Sequence, residues 1–193
     1  MNLFLLRHAE SAANKLGALA SGTADRLSDC GVQQAQRLAA VLAGLEIQRI
    51  LCSPYVRAVD TIVPFAALSH LEVEQHGCLA QGQWVLESNP VIETPEYLEL
   101  NGCPVEQETK GQFLARVQES IVLIKAQRVN SLLIVSHGHM IRELLNEFIG
   151  TQTKVRFPHA NAGLSHLVLG DIVVVKFINK QHCTDKTSYS DFG

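Results

Sequence analysis

Residues 2–8 read Asn-Leu-Phe-Leu-Leu-Arg-His, an apolar run that stops abruptly at two ionisable side chains. That is the profile of a short buried strand. The design recurs downstream. Residues 47–52 form a second such run, followed by Ser53-Pro54-Tyr55-Val56-Arg57, and residues 132–135 form a third, followed by Ser136-His137-Gly138. Helical patterns lie between them. Residues 28–45 carry Val32, Ala35, Leu38, Ala39, Leu42 and Leu45 at helical spacing. Ser53-Pro54 reads as an N-cap with proline at the first helical position, opening a helix that runs through Arg57 toward Leu68. Thr109 and Gln112 match a capping box ahead of Phe113, Val117, Ile121 and Ile124. Met140, Ile141, Leu144, Leu145, Phe148 and Ile149 make the next apolar stripe. Residues 164–169 and 172–178 read as a closing strand pair around Gly170-Asp171.

Alternation of this kind predicts a three-layer α/β/α sandwich with a mostly parallel central sheet. One domain over residues 1–180 is expected. Within it, residues 70–108 are punctuated by Gly77, Gly82, Pro90, Pro95, Gly102 and Pro104 and read as an irregular insertion. Residues 181–193 read as a polar tail.

Composition narrows the function classes. Hydrophobic residues make up 47% of 193, enough for a packed core, and the formal net charge is −3. A nucleic-acid binder would usually be basic, so that class loses weight. An anionic substrate then requires locally concentrated positive charge. The five cysteines include no C-x-x-C pair, which argues against a zinc site or a disulfide framework and fits a reducing compartment. Residues 1–6 are too short for a signal segment, and no stretch approaches a membrane span. A cytoplasmic protein, monomeric or homodimeric, acting on a small molecule is expected.

In doubly covered parallel sheets, ligands bind at the carboxyl ends of the strands. That rule selects Arg7-His8, the 53–57 segment and Ser136-His137-Gly138. Two arginines and two histidines would converge there. Forked guanidiniums match phosphate oxygens, and helix starts after Ser53 and after Gly138 would add N–H donors. A histidine beside arginines has its protonated form disfavoured by like charge and stays nucleophilic near neutral pH. The second histidine can donate to the equatorial oxygens, and Asn14 offers a neutral donor. This chemistry calls for neither metal nor cofactor.

The arrangement resembles the histidine phosphatase superfamily in its phosphoglycerate-mutase-like branch. Leu6-Arg7-His8-Ala9-Glu10-Ser11 with Asn14 looks like its signature. Asp25-Arg26-Leu27-Ser28 with Gly31 and Gln34-Ala35, Cys52 to Ala58, Val135 to Gly138, and Asn161-Ala162 follow in the family's order over residues 3–170. Singly, each motif is weak; the ordered set carries the resemblance. It implies that His8 is phosphorylated in transit, that Arg7, Arg57 and His137 form the phosphate pocket with Asn14 and Gly138, and that Glu10 orients His8 or Arg7 or is a surface carboxylate.

One position departs from the pattern. The branch usually carries a glutamate as general acid in a Leu-x-Glu segment ahead of a glycine and a tryptophan. Here the segment reads Leu79-Ala80-Gln81-Gly82-Gln83-Trp84. Gln81 cannot donate a carboxylic proton. Glu87 is the nearest carboxylate and the candidate acid, with Glu74 and Glu93 further off and His139 as another candidate. His137-x-His139 lacks carboxylates at metal-ligand spacing, and Trp84 reads as a rim or core aromatic. Without an acid, substrates with good leaving groups are favoured. The implied activity is a phosphomonoesterase. Alternatives are a protein phosphohistidine phosphatase, a phosphoglycerate-type mutase (for which the 70–108 region is short) and a low-turnover phospho-ligand-binding module.

Overall fold

The computed structural model describes residues 1–17, 22–82, 99–100, 103–104, 108–152 and 155–182. Its centre is a six-stranded sheet in the order β3-β2-β6-β1-β7-β8. The strands are β1 (Asn2–Arg7), β2 (Arg49–Cys52), β3 (Val73–Gln75), β6 (Ser131–Ser136), β7 (Leu164–Val168) and β8 (Val174–Lys180). Two short segments, β4 (Glu99–Leu100) and β5 (Cys103–Pro104), pair separately. Strands β3, β2, β6 and β1 run parallel, while β7 and β8 return antiparallel. The expected mostly parallel sheet is therefore present, with an antiparallel pair closing one side.

The helices are α1 (Ala12–Lys15), α2 (Asp29–Ala43), α3 (Val56–Ser69), α4 (Lys110–Lys125) and α5 (Gly138–Ile149). Side chains alternate across a strand, so β1 feeds two cores. Leu3 and Leu5 pack with Phe113, Val117 and Ile124 of α4 and with Met140, Ile141 and Leu144 of α5. Phe4 and Leu6 pack with Leu38 and Leu42 of α2 and with Ala58, Ile62 and Phe65 of α3. Burial on both faces explains why β1 and β6 read as continuous apolar runs.

Local signals mostly hold. Thr109 and Gln112 form the reciprocal capping box of α4, at 2.7 and 3.2 Å. The Ser53-Pro54 expectation is corrected. Helix α3 begins at Val56, with Tyr55 at its N-cap and no side-chain cap bond. Ser53 does not cap because its Oγ is occupied by His137 Nε2 at 2.7 Å and by the Tyr55 N–H at 3.3 Å. Strand β3 lies inside the region read as irregular; it is three residues long at the sheet edge, too short to show a period. Glu87, Glu93 and Trp84, together with residues 183–193 of the expected tail, lie outside the described residues.

Register brings three strand ends together. Arg7 is level with Ser136, and Cys52 with Val135. The ladder continues one residue further on each side, through His8 N–H to the Ser136 carbonyl at 3.0 Å and Ser53 N–H to the Val135 carbonyl at 2.8 Å. His8, Ser53 and His137 thus leave the sheet side by side.

Candidate active site

His8 is 3% exposed. Its Nδ1 lies 2.7 Å from the carbonyl of Ala9, which can only accept, so Nδ1 carries the proton. Nε2 is left with its lone pair, and Arg57 Nε donates to it at 3.3 Å. The pKa of His8 falls well below the usual histidine value. Burial is the largest cause, ahead of the charges of Arg57 and Arg7, and the Ala9 bond opposes both only in part. The sequence-based reason, like charge alone, names the smaller contribution.

Arg57 is 3% exposed, and its Nη1 donates to the Gly22 carbonyl at 2.9 Å and lies 3.9 Å from the Asp25 carboxylate. Its guanidinium sits 4.8 Å over the Tyr55 ring. Arg7 donates through Nη1 to the carbonyl of His159, while its Nε is buried without a hydrogen-bond partner among the described residues. Burial, then the charge of Arg57, lowers Arg7 to about 10, so its guanidinium stays charged at neutral pH. The ring of His137 is fully buried, 5.1 Å from that of His8 and edge-on to Tyr55 at 4.9 Å. Its Nδ1 is also buried and unpaired among the described residues. Helix α5 starts against this cluster, since a Cβ on Gly138 would lie 3.8 Å from Arg7 Nε.

Buried polar groups are nearly always paired. Here the Arg7 guanidinium, with its Nε unpaired, and that of Arg57 stand beside the unpaired His137 Nδ1, and the two forks are donors suited to an anion with several oxygens. Asn14 is committed on one side: its Oδ1 accepts from Asn161 Nδ2 at 2.8 Å and from Ser11 N–H at 3.3 Å. Any contact with an anion falls to its Nδ2. Glu10 orients neither His8 nor Arg7; its Oε1 accepts from Ser28 Oγ at 2.6 Å and its carbonyl from Ser28 N–H at 2.9 Å. It ties the loop after β1 to the start of α2. That contact is close enough to require Gly31, where a Cβ would lie 1.9 Å from the Glu10 carbonyl oxygen.

Gln81 lies beside His139, its Nε2 donating to His139 Nδ1 at 3.2 Å. Its loop is anchored firmly. Arg116 donates to the carbonyls of Cys78, Ala80 and Gln81 at 3.0, 2.7 and 3.2 Å and pairs with Glu108. Ser136 Oγ holds the Leu79 carbonyl at 2.6 Å. Burial, with Arg142 and Arg7, lowers His139 to about 4. At neutral pH it is an uncharged imidazole, a hydrogen-bonding group rather than a ready acid. Arg116 and His159 escaped the sequence reading, and Asp25 and Tyr55 were read there only as motif members without a role, because each acts through a carbonyl, a ring face or a second charge.

The model of the histidine phosphatase superfamily (branch 1) matches residues 3–175. The chain belongs to the histidine phosphatase superfamily. Among its relatives, an acid phosphatase of Mycobacterium tuberculosis is 33% identical over 163 residues, covering 76% of this chain and 75% of that protein. The adenosylcobalamin/alpha-ribazole phosphatase of Escherichia coli K12 is 28% identical over 162 residues, covering 78% and 80%. The structure of a phosphoserine phosphatase mutant from Entamoeba histolytica, in complex with phosphoserine, superimposes with a TM-score of 0.70 at 25% identity, covering 92% of this chain and 96% of that one. This histidine phosphatase is accordingly a phosphoric monoester hydrolase by family. Among the described residues no helix is long and apolar enough to cross a membrane.

The buried histidines predict how the fold responds to acid. Burial holds His159 at about 4, against 6.5 for a free histidine, with Arg7 adding to the shift and the Phe157 carbonyl opposing it. His8, His137 and His139 are lowered in the same direction. Each is neutral in the fold and would bind a proton when unfolded. For His159 and His139 the stabilisation is complete above pH 6.5 and is lost as pH falls from there toward 4, and His8 and His137 act in the same direction. Thermal melts should show Tm dropping steeply over that interval. His159→Gln, which can still reach Ser165 Oγ (now 3.0 Å from Nε2), should flatten the drop by up to about 3 kcal/mol. An unchanged slope would show that His159 does not drive it.

Proposed function

We propose that this chain hydrolyses phosphomonoesters of a small metabolite through a phosphohistidine on His8, without a metal ion. One observation carries the reading: a buried histidine whose Nε2 keeps a lone pair, met by Arg57 Nε at 3.3 Å, in a cluster that also holds the Arg7 guanidinium, with its Nε unpaired, and the unpaired His137 Nδ1. In the first step the Nε2 lone pair of His8 attacks phosphorus, the P–O ester bond breaks and the alcohol oxygen leaves with the bond pair. Arg7, Arg57 and His137 hold the equatorial oxygens as charge shifts onto them. In the second step water attacks in line, the P–N bond breaks, and inorganic phosphate and free His8 result. Positive charge comes from the arginines, which is what supports metal independence. The relatives named for acid phosphatase, alpha-ribazole phosphatase and phosphoserine phosphatase activity support a small substrate. Cys30, Cys52 and Cys78 are free thiols, in keeping with a cytoplasmic location.

The amide at Gln81 favours esters whose oxygen leaves without protonation. General acid catalysis is typically worth about 10²–10⁴-fold. Hydrolysis of p-nitrophenyl phosphate should proceed undiminished in EDTA and exceed that of glycerol phosphate by about that factor. Activity lost in EDTA and restored by a divalent ion would overturn metal independence. Equal rates on both esters, with a large loss in Glu87→Gln, would assign the acid to Glu87 and remove the leaving-group preference.

A further inference from the structure

We propose that Ser53 is a positioning residue that fixes the tautomer of His137, so that Nδ1–H faces the phosphoryl group as a neutral donor. The inference deepens the phosphatase reading and rests on it for the identity of the anion. Ser53 Oγ and His137 Nε2 are 2.7 Å apart, both residues fully buried. Two proton arrangements satisfy that distance. In one, the serine hydroxyl donates to Nε2 and the imidazole proton sits on Nδ1. In the other, Nε2–H donates to the serine oxygen and Nδ1 is a bare lone pair.

One observation selects the first. The serine oxygen already accepts the Tyr55 N–H at 3.3 Å, so its remaining need is an acceptor for its own proton, and His137 Nε2 is its acceptor among the described residues. Reversing the bond would leave a buried hydroxyl proton with no partner, a cost of about 1–3 kcal/mol in general experience. The ring lies 5.1 Å from the His8 ring, where burial and the charges of Arg57 and Arg7 keep it uncharged. A neutral ring has one N–H to give. A bare Nδ1 would set a lone pair against the phosphoryl oxygens, whereas Nδ1–H donates to them. This also explains why Ser53 abandons the N-cap that its sequence position suggests: the hydroxyl is spent on His137 instead.

The test is the ¹⁵N spectrum of the imidazoles in the intact chain, without substrate, with His137 assigned by comparison with His137→Gln. Nδ1 of His137 should show a protonated, pyrrole-type shift and Nε2 a bare, pyridine-type shift. In Ser53→Ala the two should exchange or average, and kcat/KM for p-nitrophenyl phosphate should fall about 10–100-fold, as for removal of other orienting partners. Ser53→Thr, which keeps the hydroxyl, should retain the wild-type shifts and most of the activity. A wild-type spectrum with the proton on Nε2 overturns the proposal, as do unchanged shifts in Ser53→Ala. The shifts are read whether or not the chain turns over phosphoesters, so failure of the phosphatase reading would be seen separately, as absent turnover in a wild type with the expected tautomer.

Discussion

His8→Ala should lower kcat for p-nitrophenyl phosphate by about 10⁴–10⁶-fold, the range expected when a covalent nucleophile is removed. The variant should still fold and bind inorganic phosphate. The reason lies in how little of the fold depends on the imidazole. The backbone of His8 is held by Ser136 and Ala162, bonds that any residue can make. The side chain contributes one bond to the neighbouring Ala9 carbonyl and one acceptor for Arg57. Removing a buried, poorly protonated imidazole also relieves crowding by two cations. Two readouts separate a nucleophile from a mere phosphate contact. Rapid acid-free quenching of the wild type with ³²P-labelled substrate should yield label on the protein that is stable to alkali and lost in acid, as a phosphoramidate is, and none in His8→Ala. Phosphate affinity should change little, since Arg7, Arg57 and His137 remain. Residual turnover within about tenfold of wild type would remove His8 from the nucleophile's role.

Much of the fold was legible because the apolar runs 2–6 and 132–135 are buried on both faces. Continuous runs followed by polar residues then mark both the strand and the end where ligands bind. The cluster of Arg7, His8, Arg57 and His137 followed from that rule, and the structure does bring these four side chains together. What stayed hidden was relational. Ser53 looked like a helix cap because capping chemistry is local, while its true partner is 84 residues away in sequence. Glu10 was left open between orienting His8 or Arg7 and being a surface carboxylate, and it instead ties Ser28 to the loop. Gln81 was readable as a departure from the family's acid and His139 as a candidate in its place, but their contact with each other and the anchor Arg116 of α4 carry no pattern in the sequence.

Arg57→Ala should reduce kcat/KM by about 10²–10³-fold, the scale of one preorganised donor lost from a buried site, and should also shift the pH profile. Arg57 has two tasks that one substitution exposes. Its Nη1, braced by the Gly22 carbonyl and Asp25, fixes the fork, while its Nε points at the nucleophilic nitrogen of His8. After burial, Arg57 is the next largest cause of the low pKa of His8. Removing it raises that pKa toward 6.5, the ordinary histidine value. The free-base nucleophile is then lost at a higher pH as solutions are acidified, so the acid limb of kcat/KM must move upward. Arg57→Lys should not restore the rate, because an ammonium cannot span His8, Gly22 and a phosphoryl oxygen in one plane. Arg26→Ala serves as the control: that guanidinium is 74% exposed and pairs with Asp60 at 3.4 Å on the surface. It should leave both rate and profile unchanged. An Arg57→Ala enzyme whose rate falls while its acid limb stays in place would mean that burial alone sets the nucleophile's basicity. Arg57 would then be a phosphate ligand only.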